Sequence, residues 1–206
     1  MSHFRSFGLA ALVMAAMAVP SSAATLSYSG NFTNDNDVVQ ISFTLTDTVF
    51  VSFQTFGYGG GVNGAGQVIL PGGFEPTLQL FFATTGDIAS GTMYPGAAPD
   101  PCGPRIPDPN RANLCLDVFS QVSLNAGSYI LAITQNPNVT AGNNLSAGFI
   151  YDLDPNFATG FQGVSSGLPG DSHWALDITV SPEPGAALLM APALLLIGVI
   201  RRRRKN

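Results

Sequence analysis

Lysine is missing from the 156 residues between Thr25 and Val180, and arginine occurs there only as Arg105 and Arg111. Against them stand twelve aspartates and glutamates, from Asp35 to Asp177, which gives this stretch a formal charge of −10. No nucleic acid is expected as a partner, nor any anionic polymer, because each phosphate contact needs a cation. Divalent cations and neutral glycans stay compatible with such a surface. Helical periodicity is missing too: no window of helical length between 25 and 180 carries a 3.6-residue apolar stripe. Cysteine is confined to Cys102 and Cys115, and the stretch has one tryptophan, Trp174, and one histidine, His173.

What the sequence does have is an apolar segment at each end. Met1 to Ala24 places Arg5 ahead of an apolar stretch, Leu9 to Val19, and then the small residues Ser21-Ser22-Ala23-Ala24. That is the layout of a secretory signal peptide over residues 1–24, with cleavage expected before Thr25. Residues 25–180 then form the ectodomain, long enough for one domain with a core of its own. Residues 181–206 begin Ser181-Pro182-Glu183-Pro184, continue with 16 apolar residues from Gly185 to Ile200, and end in Arg201-Arg202-Arg203-Arg204-Lys205-Asn206. As a helix the apolar run is about 24 Å long, short against a bilayer core of about 30 Å, so it spans with local thinning or arginine snorkelling. The cations are expected to stay cytoplasmic, leaving everything upstream outside.

Pro182-Glu183-Pro184, the short apolar segment and the arginines Arg201, Arg202, Arg203 and Arg204, in that order, resemble the PEP-CTERM sorting signal of Gram-negative, biofilm-forming bacteria. The resemblance implies transient anchoring in the inner membrane, recognition by an exosortase and cutting near the Pro-Glu-Pro. It also implies a final place at the cell surface or outside the cell. An ordinary C-terminal anchor is the alternative. A GPI signal fits poorly, since such tails end in the apolar stretch.

Within the ectodomain the apolar period is two. Val39, Ile41, Phe43 and Leu45 alternate with polar residues, as do Val49, Val51 and Phe53, although Phe50 and Phe56 make this run apolar on both faces. Leu78, Leu80 and Phe82 follow, then Val118, Val122 and Leu124, then Tyr129, Leu131 and Ile133, and last Trp174, Leu176, Ile178 and Val180. Between them lie turn-forming groups such as Asn34-Asp35-Asn36-Asp37, Gly72-Gly73, Thr85-Gly86-Asp87 and Asn125-Ala126-Gly127. Short alternating runs of this kind are half-buried strands, so the pattern predicts an all-β, antiparallel β-sandwich, of jelly-roll type in one version. Gly57 to Gly73 and Pro95 to Asn113 interrupt the spacing and read as surface loops. In an exported chain Cys102 and Cys115, which bracket a proline-rich segment, are expected to form one disulfide.

Gly30-Asn31-Phe32 with Asp35-Asn36-Asp37-Val38 and Phe43-Thr44-Leu45 is similar to the opening of bacterial pre-peptidase C-terminal (PPC-like) domains. So are Gly73-Phe74-Glu75-Pro76-Thr77-Leu78-Gln79-Leu80-Phe81 and Leu124-Asn125-Ala126-Gly127-Ser128-Tyr129-Ile130-Leu131. With Cys115-Leu116-Asp117 and His173 to Ile178 added, the ectodomain resembles the DVUA family of PEP-CTERM-anchored proteins. The resemblance implies a PPC-like β-sandwich and no particular activity. Glu75 stands where that pattern has Asp, keeping the carboxylate on a longer arm.

Three kinds of site follow from residue type. Asp35 and Asp37, with Glu75, Asp117 and Asp87 expected to reach the same end of the sandwich, offer the hard oxygens that calcium takes; the spacing is not that of an EF-hand. Asp and Asn also cap turns with no metal present. Gly163-Val164-Ser165-Ser166-Gly167 fits a nucleophile elbow, with Asp171 and His173 nearby, but lacks a flanking strand and helix. Gly59 to Gly64 fits Gly-x-Gly-x-x-Gly, with more glycine where a phosphate-binding helix belongs. Phe56, Tyr58, Phe74, Tyr94, Tyr151, Phe157 and Phe161 are candidates for a glycan platform, or else for packing. The reading that combines these features is a non-catalytic exported surface protein associated with biofilm or exopolysaccharide. A calcium- or carbohydrate-binding module is the alternative, and a hydrolase a third.

Overall fold

The two-residue period becomes strand pleat in the computed structural model, which describes residues 23–95 and 116–181. The strands are β1 (Ala24–Asn31), β2 (Val39–Leu45), β3 (Val49–Thr55), β4 (Gly61–Val62), β5 (Val68–Ile69), β6 (Pro76–Phe82), β7 (Phe119–Leu124), β8 (Gly127–Gln135) and β9 (His173–Ser181). A 3-10 turn at Leu145–Ala147 is the helical element among the described residues. Strands β1-β9-β3-β7 form one sheet, β2-β8-β6 a second, and β4-β5 a separate hairpin. Every pairing between these strands is antiparallel.

The two larger sheets share one core. Ile41, Phe43 and Leu45 of β2, Leu78 and Leu80 of β6 and Leu131 and Ile133 of β8 pack with Val51 and Phe53 of β3 and Leu176 and Ile178 of β9. The Phe43 and Phe53 rings bridge the sheets with centroids 6.1 Å apart. Each such side chain removed from water contributes about 1.5–3 kcal/mol, so this seam carries most of the fold's driving force.

Register fixes which loops are neighbours. Ala24 lies opposite Val180 and Phe50 opposite Ser181, so the described domain begins and ends at one end of the sandwich. The tight turns after Leu45 and Leu124 lie at that end too, since Val49 faces Leu124 and Leu45 faces Gly127. The opposite end collects the segments 32–38 and 116–118 and both ends of the longer segments 56–75 and 136–172, whose middle parts fold back over the sheet faces. Here it is called the loop end.

All six expected runs are strands, and two details differ. β6 is buried on both faces: Leu78 and Leu80 enter the main core, Phe81 packs with Ala132 and Phe149 in a second cluster, and Phe82 at the strand end is 41% exposed. The expectation that Leu78, Leu80 and Phe82 form the inner row therefore fails at Phe82. β3 shows the opposite, as Phe50 lies exposed at 36% while Phe53 is fully buried. The polar strand β1, and the β4-β5 hairpin inside the expected loop 57–73, are additions.

Strand β1 starts one residue before the expected signal cleavage. The rest of that peptide, the expected Cys102–Cys115 disulfide and the tail 182–206 lie outside the described residues. No helix among the described residues is long and apolar enough to cross a membrane.

Truncation distinguishes the two neighbouring phenylalanines. Phe81→Ala is expected to cost about 3–5 kcal/mol in urea unfolding and Phe82→Ala about 1 kcal/mol or less. Equal losses would contradict the assigned faces.

Candidate functional site

The loop end is held by carboxylates. Glu75, fully buried, accepts the backbone N–H groups of Ser165 (2.9 Å) and Ser166 (2.8 Å), one on each oxygen. Asp117 accepts N–H groups from Tyr58 (3.2 Å) and Gly59 (2.7 Å) and the Thr55 hydroxyl (2.9 Å). Thr55 in turn accepts the Val118 N–H at 2.8 Å, closing a small buried network. Asp37 turns back on its own loop, accepting from Thr33 (2.6 Å) and Asn34 (3.0 Å). Asp35, 1% exposed, accepts the Ala158 N–H at 2.8 Å with Oδ2, while its Oδ1 is buried without a partner. Sequence distance is spanned in each long-range case: Glu75 and Asp35 both hold the 136–172 loop, one from just ahead of β6 and one from the 32–38 turn.

Solvation explains the arrangement. A carboxylate taken out of water without partners costs several kcal/mol or more, and a hydrogen bond to a charged group returns about 1.5–3 kcal/mol. With no lysine or arginine among the described residues, backbone amides do the work that cations do elsewhere. Glycine lets the chains approach: a Cβ on Gly163 would lie 2.3 Å from Glu75 Oε1.

The expected calcium donors Asp35, Asp37, Glu75 and Asp117 are thus at the same end, yet committed to separate loops. Among the described residues no group of three or more His, Cys, Asp or Glu is placed to hold a metal ion. The Asn34-Asp35-Asn36-Asp37 turn splits, with Asp35 directed inward, Asp37 capping the turn and Asn36 Nδ2 donating to the Tyr151 and Asp152 carbonyls at 2.8 and 3.2 Å. Asp87 lies elsewhere, on the β6 side, bridged to Asn144.

The remaining motifs resolve in similar fashion. Ser165 sits in a turn with no strand before it and no helix after it, and its hydroxyl accepts from Asn136 Nδ2 at 3.3 Å. His173 is not directed at it, because the two ring nitrogens meet Asp171 Oδ1 and the Leu70 carbonyl. No nucleophile elbow is formed. Gly59 to Gly64 contains β4, with no helix to cradle a phosphate. Of the loop aromatics, Tyr58 and Phe74 are buried, and Phe74 stacks between Phe32 (4.7 Å) and Phe161 (5.8 Å). Tyr151 and Phe157 remain half-buried as a parallel stack at 4.0 Å and 3°, beside Leu153, which is 98% exposed.

Several structural polar residues were not anticipated. Gln79 is buried and accepts the Thr140 N–H at 2.8 Å. Asn138, fully buried, donates to the Asn36 carbonyl at 3.2 Å and accepts the Tyr151 N–H at 3.3 Å. Both lie where the 136–150 segment covers the outer face of the β2-β8-β6 sheet. A signal for that cover existed in the sequence: Phe81, Ile130 and Ala132 make the outer positions of β6 and β8 apolar.

One exposed carboxylate is tuned. Hydrogen bonds from Asn144 and then Thr85 hold Asp87 below the ordinary aspartate range. Asn144 Nδ2 reaches Asp87 Oδ1 and the Thr85 carbonyl, each at 2.9 Å.

No protein-family profile matches the chain, and no curated protein does. Among solved structures it is similar to PliG of Aeromonas hydrophila, a periplasmic inhibitor of g-type lysozyme. The TM-score is 0.31 at 12% identity, over 77% of this chain and 86% of that one. A likeness this slight leaves the functional question to the residues themselves.

Glu75→Gln replaces one acceptor with an amide that faces a backbone N–H, and is expected to destabilise the domain by about 2–3 kcal/mol in denaturant. Local loss of hydrogen-exchange protection around residues 163–168 accompanies it; unchanged stability would deny the clamp. For Asp87, a folded-state pKa below the unfolded one means a contribution present at neutral pH and lost as pH falls through the lowered value. In Asn144→Ala the Asp87 carboxyl, followed by NMR, titrates at higher pH than in the parent; an unmoved midpoint contradicts the assigned cause.

Proposed function

We propose that this chain is an exported, non-catalytic display module that an exosortase processes at Pro182-Glu183-Pro184 and that serves at the cell surface or in the extracellular matrix. The observation that carries the reading is the register of Ala24 against Val180. It brings both junctions with the expected targeting segments to one end of the sandwich, the end opposite the clamped loops. Loops held in fixed positions on a sandwich are what a surface contact needs.

The finer fold assignment is a PPC-like sandwich of jelly-roll type. It is supported by the four- and three-stranded antiparallel sheets, and by β1, β2 and β3 passing from one sheet to the other and back. Exopolysaccharide is the partner that the acidic, lysine-free surface favours if the polymer is neutral. A second reading, carbohydrate binding at a defined site, is favoured by the half-buried Tyr151–Phe157 stack beside the exposed Leu153, since sugar faces settle on flat apolar rings.

Replacing Glu183 with Ala, or deleting residues 201–204, is expected to leave a larger, unprocessed form in the membrane fraction, seen by immunoblot in the native host. Normal processing of both variants refutes the sorting role. In the same cells, Tyr151→Ala that is processed normally but no longer co-sediments with matrix polymer supports the second reading over a purely structural one.

A further inference from the structure

We propose that residues 60–71 are a hinged flap over the outer face of the four-stranded sheet, latched shut by protonated His173. β4 and β5 pair with each other, Gly61 opposite Ile69 and Val62 opposite Val68, and join neither larger sheet. The flap's outer surface is apolar and exposed, at 58% for Val62, 65% for Val68 and 67% for Leu70. Its neck is glycine on both legs, Gly59-Gly60-Gly61 and Pro71-Gly72-Gly73. Gly60 (φ +70) and Gly72 (φ +129) hold conformations that other residues rarely adopt, and a Cβ on Gly60 would lie 2.7 Å from Pro71 N. The two legs therefore run in contact, and Gly60 N–H to the Phe56 carbonyl (2.9 Å) and Gly72 N–H to the Tyr58 carbonyl (3.2 Å) fix the base on which the flap turns.

Under the flap the contacts are incomplete. Gly64 donates its N–H to Asp177 Oδ2 at 2.7 Å. Asp177 Oδ1 and Ser27 Oγ, cross-strand partners on β9 and β1, are both buried with no hydrogen bond. Water would satisfy both atoms if the flap lifted, which lowers the cost of opening.

His173 supplies the latch. Its Nδ1 meets Asp171 Oδ1, and its Nε2 lies 2.9 Å from the carbonyl oxygen of Leu70, on the flap itself. Both partners are acceptors. An imidazolium donates to both, whereas a neutral ring has one N–H to give. The carboxylate, as the charged acceptor, retains that N–H. The Nε2 lone pair is then left against the Leu70 oxygen, and the latch opens. Asp171, whose Oδ1 also accepts the His173 backbone N–H at 2.9 Å, is the charged group facing the ring. Residues 57–73 contain no ionisable side chain except Tyr58. Asn31, opposite His173 on β1, is neutral, and Asp177 further along β9 is engaged by Gly64. The latch is thus closed while both ring nitrogens carry protons and open once one proton has left.

Hydrogen exchange of the full chain, corrected for intrinsic rates, tests this with residues 127–135 as internal reference. Protection of 60–71 relative to the reference is expected to fall roughly tenfold between about pH 5.5 and pH 8. In His173→Gln, which has one donor at every pH, the step disappears. Constant protection in the parent, or an equal step in His173→Gln, overturns the proposal. If that variant folds poorly, ring-nitrogen NMR of the parent decides instead. Two bonded N–H groups at low pH, becoming one at the midpoint of the flap step, are expected; a different midpoint overturns the latch.

Discussion

Hydrogen bonds from backbone amides to buried carboxylates hold the loop end in place, and much of the rest of the molecule follows from them. A chain without lysine or arginine in its described residues cannot neutralise Glu75, Asp35 or Asp117 with side-chain cations from that set. Peptide N–H groups replace them, and these are available wherever a loop passes close enough. The consequence is that each acidic residue fixes the course of a distant segment: Glu75 the turn at 165–166, Asp35 the turn at 158, Asp117 the exit from β3. Irregular loops thereby acquire definite positions on the sandwich.

Both outer sheet faces are then covered without helices. The 136–150 segment lies over the β2-β8-β6 sheet, using Gln79 and Asn138 as polar anchors and Phe81, Ala132 and Phe149 as a second small core. The β4-β5 hairpin lies over the other sheet, anchored at its glycine legs by backbone bonds and held to the sheet through Gly64 and His173. One cover carries a small apolar core of its own, while the other shows Val62, Val68 and Leu70 to solvent.

Strand positions were legible in the sequence because a period of two and turn-forming residues are local signals, as in Val39 to Leu45 and Trp174 to Val180. The placing of Asp35, Asp37, Glu75 and Asp117 at one end was legible from the turns and strand ends around them, while Asp87, expected with them, lies elsewhere. Their role was not. Calcium and backbone amides seek the same oxygens, and spacing does not say which arrives. The burial of Gln79 and of Phe81, against the exposure of Phe82, depended on a cover of irregular chain some sixty residues away in the sequence. Strand β1 was missed because an edge strand of Thr, Ser, Gly and Asn with only Leu26 and Tyr28 looks like loop, and gains its order from β9.

The position of β9 carries a mechanical consequence. Ser181 leaves the domain from a strand flanked on both sides, by β1 and by β3. Inter-strand hydrogen bonds in antiparallel sheets run across the strand direction. A pull on a tether at Ser181, resisted by something gripped at the far end, therefore loads two ladders in shear simultaneously, with no single edge to unzip. The strand that would bear the tension is the one the sheet supports best.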